Sequence, residues 1–190
     1  TPATILIAAI KQLRPKQWAK NIFVLPALVF SNQFLDPAAV ARFGLAFAAF
    51  CALASCGYVL NDWLDREADR KHPKKRFRPI ASGALPEPLA LVLLIVCFGA
   101  GAWLSFQLSP AFVLIAGLYF VTTLSYSLYF KHKVILDVLF LSSGFVWRVV
   151  AGAVAIDVHV SPWLFLCTVF VALFFGFNKR RGELLNIGAH

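Results

Sequence analysis

Charge is scarce in this chain of 190 residues: Asp, Glu, Lys and Arg together make up 14%, while hydrophobic residues make up 60%. A soluble domain of that size has no interior large enough for so much apolar side chain, so the composition indicates an integral membrane protein. Acidic residues are the rarest charge, nine against eighteen Lys and Arg, for a formal net charge of +9. Methionine is absent even at position 1, so the chain reads as a fragment of a longer protein. Cysteine occurs four times, at Cys51, Cys56, Cys97 and Cys167, each alone within an apolar run. That spacing offers neither a metal nor a redox role, and the four read as small buried hydrophobes. A sustained alternating pattern is also missing, which excludes a β-barrel. No repeat of fixed period is visible. Thr1 to Leu13 lack the apolar run and small-residue cleavage pattern of a signal peptide.

What is present is a series of six apolar runs, at roughly 21–35, 40–60, 88–107, 111–130, 134–156 and 162–178. The first is the shortest and carries Pro26. Ahead of it, Ile5, Leu6, Ala9, Ile10 and Leu13 recur at helical spacing with Lys11 on another face, the pattern of a short interfacial helix. Placing the N-terminus in the cytosol puts 16 of the 18 Lys and Arg on that side, with Arg42 outside and Arg148 within a run. The positive-inside rule then fixes the topology of a multi-pass protein in the cell's inner (plasma) membrane. The outer turns fall near Asp36-Pro37, Ser109-Pro110 and Asp157 to Ser161, all turn formers.

Charge is densest in one stretch, Asn61 to Gly83, which holds 11 of the 27 charged residues. Continued as a helix from the preceding run, Asp62, Asp65 and Asp69 stand at i, i+3 and i+7 and share one face. Like charges so placed repel, whereas hard oxygen ligands on one face suit Mg²⁺, which keeps waters and shares its coordination with substrate phosphates. Lys74, Lys75, Arg76 and Arg78 follow as phosphate-binding cations. His72-Pro73 should end the helix. The alternative is a solvated loop whose basic residues only set topology.

The run NDWLDREADRKHPKKRFRPIASG, from Asn61 to Gly83, resembles the first Asp-rich motif of the UbiA superfamily of intramembrane prenyltransferases. Arg14-Pro15-Lys16-Gln17-Trp18-Ala19-Lys20-Asn21 is similar to the segment before that family's first membrane helix. The resemblance implies an all-α polytopic transmembrane bundle. Residues 1–190 would be a single UbiA-like membrane domain, with 61–87 as a cytosolic catalytic loop within it, and the chain would supply about six of some nine membrane helices. It assigns Asn61, Asp62, Asp65 and Asp69 to Mg²⁺ and the leaving pyrophosphate, with Asp62, Asp65 and Asp69 catalytic. Lys20, Arg78, Tyr126 and Lys131 become substrate-binding candidates, although Lys131 also reads as a snorkelling anchor.

One departure stands out at the end of the sixth run. Prenyltransferases of the superfamily carry a second Asp-rich motif there, while this chain has Asn178-Lys179-Arg180-Arg181-Gly182-Glu183. A basic cluster binds phosphate directly, which makes Lys179, Arg180 and Glu183 substrate-binding candidates; the alternative is an inside-facing charge stop. The pattern resembles the superfamily's phosphoribosyltransferase branch. That resemblance implies transfer of 5-phosphoribosyl from phosphoribosyl pyrophosphate to a polyprenyl (decaprenyl) phosphate, on the way to cell-wall arabinan. The rival enzyme reading is prenyl transfer from a prenyl diphosphate to an aromatic acceptor. A rival of another class is a transporter or scaffold gated by Asp137 and Arg148, two ionisable residues about 16 Å apart along one helix. Asp137 suits the cytosolic active site, and Arg148 lies deeper.

Overall fold

The computed structural model describes residues 2–130 and 133–187, the side chains of Val134, Glu183, Leu184, Asn186 and Ile187 excepted. Proline marks the helix starts. Helix α1 spans Pro2–Leu13, α2 Pro26–Phe30, α3 Pro37–Leu64, α6 Pro110–Ser125 and α8 Pro162–Ile187, each opening on the residue type whose missing N–H and fixed φ suit a first helical position. Helix α4 is Arg66–Lys71, α5 Glu87–Phe106 and α7 Val134–Ala155. Three of the starts are also capped: Asp36 accepts from the Ala38 N–H at 3.0 Å, Ser109 from Phe112 at 3.1 Å and Ser161 from Leu164 at 3.1 Å.

Among the described residues, five helices are long and apolar enough to cross a bilayer: α3, α5, α6 with its continuation to Phe130, α7 and α8. Helices α3 and α8 run past the ends of their apolar runs, to Leu64 and Ile187, and these polar extensions carry the charged motifs. Helix α5 packs chiefly on α3 and α8 on α7. Small residues set those approaches: a Cβ on Gly101 would stand 2.7 Å from the Leu53 side chain, and one on Gly176 would stand 2.9 Å from Val138. Phe50, Phe112, Tyr119, Ala46, Ala49 and Ala151 make the buried centre.

The first apolar run differs from the expected span. Its first residues end a 3-10 helix, Pro15–Val24, and the single short turn of α2 follows. The segment still travels the length of α3. Ser55 Oγ donates to the Leu13 carbonyl at 3.0 Å, Trp18 Nε1 donates to Ser55 Oγ at 2.9 Å, and Asn21 Nδ2 donates to Cys51 Sγ at 3.2 Å. Further on, Ala27 and Leu28 pack against Ala39. Ten residues of 3-10 helix cover about 20 Å, more than the same number in an α-helix. Backbone of this kind is tolerated at membrane depth where protein surrounds it. Gly152 makes room for it, since a Cβ there would run into the Val24 carbonyl.

Candidate active site

Where the polar end of α3 meets α6, α7 and α8, the bundle encloses a cavity of about 560 Å³. Helix α3 contributes Tyr58 and Asn61 to its wall, and Asp65 follows at the helix C-cap with φ −89° and ψ 0°. The 3-10 segment adds Lys20, the loop beyond α4 adds Lys75 and Arg78, and Arg14 enters from a left-handed backbone position with φ 53°. Tyr126, Asp137, Arg148 and Lys179 come from the remaining helices. The cations in this wall outnumber the carboxylates, Asp65 and Asp137, so the cavity is built for anions.

Asp62 is buried, and its carboxylate is fully engaged. Arg14 Nη2 donates to both of its oxygens at 2.8 and 2.7 Å, Arg78 Nη1 donates to Oδ1 at 2.9 Å, and Gln12 Nε2 donates to Oδ2 at 2.9 Å. The same Arg78 Nη1 reaches buried Asp69 Oδ2 at 2.8 Å. Of the three carboxylates expected on one metal, Asp65 lines the cavity while Asp62 and Asp69 hold arginines, and among the described residues no group of three His, Cys, Asp or Glu is placed to hold an ion.

At the start of α7, Tyr126 donates its phenol proton to Asp137 Oδ1 at 2.6 Å, and Lys179 Nζ reaches that oxygen and the phenol at 3.3 Å each. Tyr126 opens a π-helical turn, Tyr126–Phe130, that continues α6. Deeper in the cavity, Arg148 donates Nε to Asn21 Oδ1 at 2.7 Å, Nη1 to the Gly144 carbonyl at 2.8 Å and Nη2 to the Tyr119 phenol at 3.0 Å. Its guanidinium lies 4.9 Å from the Tyr119 ring centre. Carbonyl, amide, phenol and ring face together carry this buried cation and tie the 3-10 segment to α6 and α7.

The sequence profile of the UbiA prenyltransferase family matches residues 21–178. The chain belongs to the UbiA prenyltransferase family. The decaprenyl-phosphate phosphoribosyltransferase of Mycolicibacterium smegmatis is 41% identical over 187 residues, 96% of this chain and 59% of that protein. The enzyme of the same name from Corynebacterium glutamicum is 38% identical over 188 residues, 97% of this chain and 57% of that protein. The chain thus spans under two thirds of the length of these relatives. A UbiA homologue from Archaeoglobus fulgidus, solved with GPP and Mg²⁺, superposes with a TM-score of 0.71 at 21% identity, covering 88% of this chain and 60% of that one. The all-helical UbiA architecture expected from the sequence is therefore the one that forms, as a multi-pass membrane protein.

Within this UbiA site, Lys20, Asn61, Asp65, Arg78, Tyr126 and Lys179 all line the one cavity. Arg180 does not, because adjacent positions on α8 diverge by a third of a turn. Lys131 and the Glu183 side chain lie outside the described residues. Reading the sequence for sites overlooked Arg14, Tyr119 and Asn21; the available signal was a polar residue inside or just ahead of an apolar run. For Mg²⁺ the donor set fits. At the end of α3 the cavity wall offers an amide and a carboxylate, Asn61 and Asp65, and this ion is held by one or two carboxylates with waters and substrate phosphates completing its shell.

Proposed function

We propose that this UbiA chain carries the active site of an enzyme that transfers 5-phosphoribosyl from phosphoribosyl pyrophosphate to a polyprenyl phosphate, releasing pyrophosphate. The observation that carries the reading is the mixed wall of the cavity: an acid-amide pair, Asp65 and Asn61, and separate cations, Lys20, Lys75, Arg78 and Lys179. A prenyl diphosphate presents one diphosphate. Phosphoribosyl pyrophosphate presents a diphosphate at one end and a monophosphate at the other, and needs both kinds of wall. The relatives' name, decaprenyl-phosphate phosphoribosyltransferase, supports the polyprenyl phosphate acceptor and the phosphoribosyl group transferred.

In this mechanism, Asn61 and Asp65 would hold Mg²⁺, which when bound would neutralise charge on the departing pyrophosphate. Arg78 and Lys75 donate to the pyrophosphate oxygens, Arg78 already oriented by Asp62 and Asp69. Lys179 binds the 5-phosphate, positioned by Asp137 and Tyr126. The acceptor is already an anion, so no strong base is required, and the protein's work is positioning and electrostatic stabilisation of a ribose carbon with oxocarbenium character. The stretch 61–87 is the catalytic loop. The clustering of 16 of 18 Lys and Arg toward one side supports a cytosolic position for it at the inner membrane.

Substitutions at the end of α8 test this assignment. In the full-length protein, Lys179→Ala should weaken phosphoribosyl pyrophosphate binding by about tenfold or more in calorimetry, the loss of one charge-assisted contact. Arg180→Ala, outside the cavity wall, should change it by less than about twofold. Equal effects of the two would remove the 5-phosphate from Lys179.

A further inference from the structure

Asp62 and the two arginines that clamp it also line a second hollow of about 480 Å³, walled by Lys11, Gln12, Arg14, Lys16, Asp62 and Arg78 among others. Four of these six are cations, and the single carboxylate already accepts from Arg14, Arg78 and Gln12. Lys11 and Lys16 are exposed and have no ion pair among the described residues. The two arginines keep donors in reserve. In the hydrogen bonds of the described residues Arg14 uses only Nη2 and Arg78 only Nη1, out of five N–H groups on each guanidinium. Gln12 is wholly buried, and with Nε2 spent on Asp62 its Oε1 has no partner. A buried polar atom left unsatisfied calls for a ligand or a water.

We propose that this hollow, which shares Arg14 and Arg78 with the cavity wall, is a second phosphate-binding site for a phosphate ester that carries a hydroxyl group. The ammonium and guanidinium donors take the phosphate oxygens. The hydroxyl donates to Gln12 Oε1, which a bare phosphate diester has no means of doing. Such an ester is a phosphatidylglycerol-type headgroup or a free polyol phosphate. The hollow adjoins the end of α1, whose Leu6, Ile7 and Ile10 are 62%, 55% and 49% exposed, the apolar face of a helix lying in a membrane interface. Basic pockets at that depth meet lipid headgroups.

The test uses the full-length protein and its Lys11→Ala/Lys16→Ala double variant, whose changes fall on exposed side chains that hold no other element in place. Native mass spectrometry measures retention of phosphatidylglycerol against phosphatidylcholine, and thermal melting measures stabilisation by glycerol phosphate. Selective retention of phosphatidylglycerol by the wild type, falling at least fivefold in the variant, supports the site with a lipid source. Stabilisation of the wild type alone by glycerol phosphate, without lipid preference, supports it with a soluble source. Identical behaviour of the two proteins with both probes overturns it. Phosphoribosyl pyrophosphate affinity should be the same in both proteins, which separates this site from the cavity.

Discussion

Asp65→Asn in the full-length protein is expected to cut turnover by about a thousandfold while leaving membrane insertion and melting unchanged. Asp65 is the only one of the three motif aspartates that lines the cavity, and it does so from the C-cap of α3, where the chain bends into α4. Asparagine keeps the shape and removes the negative charge, so the loss falls on metal and pyrophosphate handling and not on packing. Charge stabilisation by a bound metal is worth several kcal/mol, which corresponds to a few orders of magnitude in rate. The check is pyrophosphate release at saturating donor. Near-normal turnover would make Asp65 part of a solvated face.

Asp62→Ala should act differently, as a lesion in stability. Its side chain is 2% exposed and compensates Arg14 and Arg78, themselves 28% and 26% exposed. Removing it leaves two partly buried guanidiniums facing each other and orphans Gln12 Nε2. Breaking a buried pair from one side costs about 3–5 kcal/mol, and the low end applies because each arginine keeps some solvent contact. Thermal melting of detergent-solubilised protein should show a clear drop, and turnover should fall at least in proportion to the folded fraction, because Arg78 loses one of the two carboxylates that orient it. Removing Arg14 in the same background should add little, since the two residues act as one unit. Additive losses would contradict the clamp.

The five long helices were legible because hydropathy and the turn chemistry agree: Asp36-Pro37, Ser109-Pro110 and Ser161-Pro162 each cap and start a helix where an apolar run begins. The first run, the shortest and the one carrying Pro26, does not announce its form, because hydropathy does not distinguish α from 3-10 backbone. What selects the 3-10 form is long-range: Asn21 is held by Arg148, 127 residues away, and Val24 fits only against Gly152. The aspartates show the same limit. Their spacing gave a shared helix face, but it is Arg14, 48 residues before Asp62, that commits this carboxylate to a clamp. Lys179 and Arg180 are neighbours of the same charge, and only the orientation of α8 against α7 separates the residue in the wall from the one outside it.

The donor is the most direct test of the account. Purified full-length protein, supplied with Mg²⁺ and a polyprenyl phosphate, should consume phosphoribosyl pyrophosphate, release pyrophosphate and yield a lipid-linked phosphoribose detectable by mass spectrometry. Consumption of a prenyl diphosphate with an aromatic acceptor, and indifference to phosphoribosyl pyrophosphate, would contradict it.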